Sequence, residues 1–176
     1  MKLTNCVILP VLFASLCSSL CAQENSSDII QIRKDFNQIN NNNHLTKLEL
    51  DAEEFLQQTP DGGASLTGYF DNDKLVKIRS WIGLSYGIQQ IDYYFRHDTL
   101  IFAFVSERHF KLIKDSVDFE HTSIALEARY YFNHNKLIER KVKGGGFWDK
   151  EQVANLLPDS KSYYGLLQRK KKNNAS

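Results

Sequence analysis

One eight-residue pattern occurs three times in the chain, and it constrains the fold more than any other feature of the sequence. Each copy has two aromatic residues, four polar residues of the kinds that form turns, and two aliphatic residues. The copies occupy residues 69–76, 94–101 and 131–138. Because aromatic and aliphatic residues favour strands and the polar residues between them favour a tight turn, each copy predicts a β-hairpin.

The spacing of the copies indicates what kind of sheet these hairpins build. Phe70 of the first copy corresponds to Phe95, 25 residues later, and to Phe132, another 37 residues later. Because a solenoid needs a fixed period, the unequal spacing predicts successive hairpins of one antiparallel meander. The predicted fold class is α+β, with an N-terminal helix packed on an antiparallel meander sheet of about six to seven strands and short C-terminal helices.

Apolar residues at helical spacing place the helices at the two ends of the chain. An apolar stripe follows the capping residues Ser26 and Asp28, and the run of asparagines from Asn40 ends it. Near the other end, Pro158 is expected to stop one short helix before a second begins. The stripe residues are Ile29, Ile32, Phe36 and Ile39 in the first helix, Val153, Leu156 and Leu157 in the second, and Tyr163, Leu166 and Leu167 in the third.

Side chains alternate between the two faces of a strand, so position along the chain divides the predicted sheet into two faces. Residues 109–122 are left out of this division, because they are highly charged and their pattern predicts no particular element. One face is apolar and we expect the N-terminal helix to cover it; its members are Phe70, Val76, Ile78, Ile82, Ile91, Tyr93, Phe95, Ile101, Val105, Ile124, Leu126, Phe132, Ile138 and Val142. The opposite face mixes aromatic and charged side chains: Thr67, Tyr69, Lys77, Arg79, Trp81, Asp92, Tyr94, Phe102, Phe104, Glu127, Arg129, Tyr131 and Glu139.

The first residues predict export. Lys2 precedes an apolar stretch from Val7 to Leu16, and Leu20-Cys21-Ala22 comes directly before the first polar run, so we expect cleavage after Ala22. A membrane-spanning helix needs roughly 20 apolar residues, so the shorter stretch disfavours a transmembrane anchor. The predicted location is the periplasm or the outside of the cell. The predicted divisions are residues 1–22 as signal peptide, 23–143 as helix and sheet, and 144–176 as a C-terminal helical extension of the same domain with a basic tail.

Composition narrows the chemistry available to the mature chain. All three cysteines, Cys6, Cys17 and Cys21, lie in the predicted leader, so disulfides, thiolate metal sites and thiol catalysis are not expected. The chain has 22 basic and 21 acidic residues, and loss of Lys2 with the leader leaves 21 of each. A nucleic-acid partner calls for a clearly basic surface, so none is predicted.

No motif for an enzyme, a metal or a cofactor occurs in the sequence. The histidines lack the close spacing of a helical metal site, and serine elbows and phosphate-binding loops are missing. His97 and His134 occupy equivalent turn positions, with a shared zinc site as the alternative. Glu127 could form a glycosidase-type pair with Glu139 or Asp92, although salt bridges explain these residues more simply. We therefore predict a protein without catalytic residues, metal or cofactor.

The repeated hairpins carry a resemblance to known proteins. The entry sequence Gly68–Phe70 and the segment Tyr130–Ile138 resemble those of small exported proteins from Bacteroidota-type bacteria, whose hairpins read Tyr-Phe, a polar turn, then Lys-Leu-Ile. The resemblance covers residues 65–142 and implies a β-meander, with no established reaction. More distantly, the hairpins are similar to those of bacterial antitoxin-like proteins, which implies an immunity or neutralising role.

The mixed face has the composition of a binding surface, because aromatic residues interleaved with arginines are typical of interface hot spots. The sequence thus predicts an exported, non-catalytic binding protein, of inhibitor or immunity type, whose partner is a protein or another envelope or extracellular ligand. One alternative is a small-ligand, lipid-like carrier with a sheet-enclosed cavity. Another is that the aromatics only pair across strands or lie under the C-terminal helices. The candidate ligand-binding residues are Tyr69, Arg79, Trp81, Asp92, Tyr94, Arg129 and Tyr131.

Overall fold

A computed structural model describes residues 14–114, 116–145 and 150–174 of the chain. Its seven strands form one antiparallel sheet whose spatial order follows the chain, which confirms the predicted α+β meander. Residues 1–13 of the predicted leader lie outside the described residues. The elements are α1 Ala14–Asn40, β1 Thr46–Asp51, α2 Ala52–Phe55, β2 Ala64–Asp71, β3 Lys74–Leu84, β4 Gly87–Arg96, β5 Thr99–Ile113, β6 Ser116–Asn133, β7 Lys136–Gly144 and α3 Lys150–Asn174.

The three sequence repeats form three hairpins of the same design. Each closes through a two-residue turn, and the first turn residue has a left-handed backbone: φ is 54° at Asn72, 49° at His97 and 48° at His134. Asparagine, aspartate and histidine adopt this conformation more readily than other residues with a side chain. The repeated polar residues are therefore explained by the backbone that the turn requires.

Each hairpin also has a β-bulge just behind its turn. In the second hairpin Tyr94 pairs with Phe102, whereas Phe95 pairs with Leu100, so Ile101 is the additional residue. The register shifts at the same place in the other two hairpins. Because an additional residue reverses the alternation of side chains, strict parity assigns the bulged residue to the wrong face.

These bulges correct part of the predicted apolar face. Ile101 and Ile138 join the cluster beneath α1, on the opposite side of the sheet, and Val76 holds the equivalent bulge position. Ile124 pairs with Arg108 beyond another register shift, so it also leaves the apolar face. Val142 keeps its place opposite Ala128, but on the edge strand β7 it is half exposed.

The prediction that the N-terminal helix covers the apolar face is wrong. That face is covered by α3, whose apolar side chains pack on Phe70, Tyr93 and Val105 among others. Helix α1 covers the mixed face, where its stripe packs on aromatic side chains. Helix α3 suits the apolar face better, because seven of its apolar residues face the sheet. Helix α1 has only four such residues, and the polar side chains beside them suit the mixed face. The residues of α3 are Val153, Leu156, Leu157, Tyr163, Tyr164, Leu166 and Leu167.

The two predicted C-terminal helices are one continuous helix. Pro158 lies inside α3, although a proline within a helix costs about 3 kcal/mol through a lost hydrogen bond and a steric clash. Leu156 and Leu167, on either side of the proline, are both fully buried against the sheet. Burial of each leucine contributes about 1.5–3 kcal/mol, which offsets the cost. The predicted basic tail is the end of this helix, where Lys170 bonds to Glu54.

The last hairpin turn provides a test of the turn geometry. His134 and Asn135 both have left-handed backbones, at φ 48° and 61°, which is the pattern of a type I′ turn. Because Asn-Gly suits this turn better than any other pair, the double variant His134→Asn with Asn135→Gly should raise the free energy of unfolding by about 0.5–1 kcal/mol. Urea unfolding measures the change. Asn135→Ala is the control and should destabilise; a gain for alanine as well would contradict the turn assignment.

Candidate functional site

All seven candidate residues lie on the mixed face, where the pairing register arranges them in three rows across the strands. This placement follows the predicted alternation, while their binding role remains a prediction. The row nearest the hairpin turns contains Tyr69, Lys77, Tyr94, Phe102 and Tyr131; the middle row contains Thr67, Arg79, Asp92, Phe104 and Arg129; the far row contains Ser65, Trp81, Gln90, Ser106 and Glu127.

The row nearest the turns is covered by α1. Tyr94 and Tyr131 are only 2% and 4% exposed. The ring of Phe36 on α1 lies 4.9 Å from that of Tyr94 and 5.5 Å from that of Phe102. Burial raises the pKa of Tyr94, whose hydroxyl donates to the Oδ1 atom of Asn40. A partner would therefore reach these two tyrosines only if α1 moved.

Asp92 is the centre of a buried ionic cluster in the middle row. Arg79 donates to both carboxylate oxygens, from Nε at 2.8 Å and from Nη2 at 3.0 Å, and Gln90 donates at 3.4 Å. Lys77 places its ammonium 3.2 Å from Oδ2. Asp92 is 4% exposed, so these contacts replace the water that its charge would otherwise need.

Lys77 connects this cluster to α1. Its Nζ atom donates to Oδ1 of Asn40 at 3.0 Å and lies 4.9 Å from the Tyr94 ring centre. Burial lowers the pKa of Lys77, while the charge of Asp92 opposes that shift. The hydrogen bond with Asp92 raises the pKa of Arg79. With two cations and one carboxylate, the cluster carries a net charge of one positive unit.

Sequence reasoning identified Arg79 and Asp92 but missed the roles of Lys77 and Asn40. Alternation puts Lys77 on the correct face but gives it no partner, and the run of asparagines identifies Asn40 only as the end of a helix. No local signal could have identified this role, because a lysine between Val76 and Ile78 is also what an alternating strand with one solvent-facing side contains.

The structure does not bring the candidate carboxylate pairs together. Asp92 is on β4 and Glu127 on β6, so a whole strand separates them by roughly 10 Å. Glu139 lies opposite Tyr131, two rows away from Glu127 on the adjacent strand. Both oxygens of Asp92 already accept hydrogen bonds. This arrangement is that of a structural ion cluster rather than a pair of carboxylates flanking a substrate.

Beyond α1 the mixed face is open. Trp81 is half-buried in the far row, and Arg129 stacks its guanidinium 5.2 Å from the Phe104 ring centre. Ile88 and Ile124 continue this side of the sheet on either side of Arg108. Ile124 is 60% exposed. We call this region, with Trp81, Ile88, Phe104, Ile124 and Arg129, the open surface.

A two-stranded arm continues the open surface past the edge of the sheet. Pairing with β4 ends at His109, and the backbone of Phe110 makes one more hydrogen bond, to Tyr86; beyond it, residues 111–113 pair with residues 116–118 of β6. One side of this arm carries Phe110, Leu112, Val117 and Phe119, of which Leu112 is 75% and Phe119 67% exposed. The rings of Phe110 and Phe119 lie 5.1 Å apart. Sequence reasoning missed the arm, although apolar residues alternate in both of its strands.

Clefts of about 440, 320 and 270 Å³ border the part of α1 whose side chains the structure describes. The largest lies between the end of α1 and the first two hairpin turns, and the smallest lies between α1 and Arg129. Among the described residues, no three metal-binding side chains come close enough to hold an ion. In the same part of the chain, no helix has the length and apolar character needed to cross a membrane.

Comparisons with known proteins gave no match, whether against family models, curated proteins or solved structures.

Proposed function

We propose that the chain is an exported, non-catalytic binding protein whose partner docks on the open surface and the arm. The observation that carries this proposal is the exposure of Leu112, Phe119 and Ile124 on one continuous side of the molecule. Contiguous exposed apolar side chains are uncommon on monomeric proteins and often mark an interaction site. Trp81 and Arg129, of the types enriched at interface hot spots, border the same region.

The shape of the arm supports a protein partner. Because its strands project beyond the sheet, the arm could enter a groove that a flat sheet could not reach. An inhibitor or an immunity protein acts in this way, by filling a site on its target. The partner would contribute an apolar groove to Leu112 and Phe119 and acidic groups to Arg129 and Arg108.

The alternative function, a small-ligand carrier, has less support. A carrier of the barrel type encloses its ligand within a closed sheet. In the described residues β1 and β7 are free edges, and each face of the sheet carries a helix. The clefts beside α1 are open rather than enclosed, and they are the places where such a ligand would bind.

Export of the chain is part of the proposal and rests on the leader-like sequence before Ala22. Export is tested by the intact mass of the protein recovered from the envelope or the medium of its source cells. A mass that lacks residues 1–22 is expected, and recovery of the full-length chain from the cytoplasm alone would contradict export.

The binding function is tested by crosslinked capture from the envelope and medium of the source organism. The variant Leu112→Thr with Phe119→Thr should lose the captured partner at least about tenfold, because each hot-spot side chain contributes about 2 kcal/mol. The matched control is Ile30→Thr with Val142→Thr, at two exposed apolar residues away from the arm. Equal capture by both variants, or no specific capture by the parent, would contradict the proposed surface.

A further inference from the structure

The cleft of about 320 Å³ beside the ionic cluster differs from the open surface in its chemistry. Polar side chains dominate its lining, and three of them are cations, namely Lys47, Lys77 and Arg79. Asp92, which pairs with Lys77 and Arg79, does not line the cleft. The full lining is Ile39, Asn40, Asn42, Asn43, Leu45, Lys47, Tyr69, Lys77 and Arg79.

The positive charge of this cleft exceeds what its own contacts neutralise. Asp92 offsets one of the three cations and is shared between Lys77 and Arg79. Glu49 lies opposite Thr67 on the same face as Lys47, and its charge raises the pKa of Tyr69, so it offsets part of a second cation, although it does not line the cleft. The carbonyl end of α1 adds only partial negative charge near Asn40. An excess of positive charge therefore remains.

Several hydrogen-bond donors in the cleft have no partner in the described part of the chain. Lys47 is exposed, and its ammonium contacts only the Tyr69 ring, at 5.6 Å from the centre. Arg79 uses Nε and Nη2 on Asp92, which leaves Nη1 available. The side-chain amide of Asn42 accepts a hydrogen bond through Oδ1 from the backbone of His44, so its NH₂ group is also available.

The cleft is also held in shape before any ligand arrives. Asn40 accepts from Lys77 and Tyr94, and its own amide donates to the carbonyl of Phe36, which fixes its orientation. Two parallel hydrogen bonds fix the guanidinium of Arg79. Preorganised donors bind an anion at lower cost than mobile side chains do, because less conformational freedom is lost.

We propose that this cleft is a binding site for a small oxyanion, a carboxylate or phosphate group carried by a small molecule, held by Lys47 and Arg79 above the buried Lys77. Arg79 donates through Nη1, Lys47 through its ammonium and Asn42 through its side-chain amide, since all three line the cleft. Charge-assisted hydrogen bonds of this type are the strong ones in anion recognition. The inference stands apart from the proposed protein partner, which docks elsewhere.

The test is an NMR titration of the purified protein at low ionic strength with inorganic phosphate and, separately, with succinate. Binding should shift the signals of Lys47, Asn42 and Arg79, and added salt should weaken it. Lys47→Gln should lower the affinity about tenfold, because it removes one charge-assisted contact. The matched control Lys136→Gln changes an exposed lysine outside the cleft and should leave the affinity unchanged.

Each outcome of this titration either supports or overturns the proposed oxyanion site. Tighter binding of phosphate would support the site and identify a phosphate ligand, and tighter binding of succinate would do the same for a carboxylate. If neither probe shifts the cleft signals, or if the two lysine variants bind equally, the site is overturned. Since the arm is not involved, the capture experiment and this titration can fail independently.

Discussion

Asp92→Asn is expected to lower the free energy of unfolding by about 3–5 kcal/mol, the cost of breaking a buried ion pair by removing one partner. The substitution keeps the shape of the side chain but removes its charge. Lys77, which is 7% exposed, would then lie beneath α1 without a counter-ion, and Arg79 would lose its bidentate acceptor. Urea unfolding measures the loss, and a fall in the melting temperature should accompany it.

The control for this prediction is the same substitution at an exposed site. Asp73→Asn removes a carboxylate that is 99% exposed and pairs with Lys171 at 3.1 Å, and surface pairs of this kind contribute little. The double variant Asp92→Asn with Lys77→Met should recover part of the stability, because it leaves one fewer buried charge unpaired. Equal losses from Asp92→Asn and Asp73→Asn would contradict a buried ionic cluster.

Leu167→Ala is expected to destabilise the protein by about 2–5 kcal/mol, because it leaves a cavity between α3 and the sheet. Leu167 is fully buried, and it packs directly against the backbone of β2 at Gly68. A methyl group added at Gly68 would lie only 3.1 Å from the Leu167 side chain, so the two are closely packed. Close packing of this kind is what makes truncation costly.

The matched control is Leu112→Ala, which truncates a leucine that is 75% exposed on the arm. Its effect on stability should stay within about 0.5 kcal/mol, as for most surface substitutions. The pair tests the correction that α3, rather than α1, covers the apolar face. If both variants were equally stable, Leu167 could not lie in the main core.

The sequence predicts the meander well, because each hairpin has a local signal that does not depend on distant parts of the chain. Turn-forming residues between aromatic and aliphatic residues define the hairpins, and α1 ends at Asn40 as predicted, although it begins at Ala14 and the predicted capping residue Ser26 lies inside it. The choice between the two faces for each helix could not be read in this way. It depends on long-range contacts such as Asp35 with Arg96 and Asp28 with Asn133, which no local pattern encodes.

The candidate site was predicted only in part, for a related reason. Alternation places Arg79, Trp81 and Arg129 on the correct face, but it cannot show that α1 covers Tyr94 and Tyr131. The alternation of side chains also fails at a β-bulge, because one additional residue reverses the faces of the residues around it, as at Ile101. Partner residues far apart in the chain, such as Asn40 and Lys77, become visible only once the layers are assembled.

The repeated bulge has a consequence for how the two helical layers depend on each other. In the second hairpin, neighbouring aliphatic residues serve opposite layers: Leu100 packs under α3 and Ile101 under α1. A slip of that hairpin by one residue would withdraw both side chains from their cores at once. The bulge therefore fixes the register of the hairpin, because a shifted pairing would destabilise the packing on both sides of the sheet. We expect the two helical layers to unfold together as one cooperative unit for this reason.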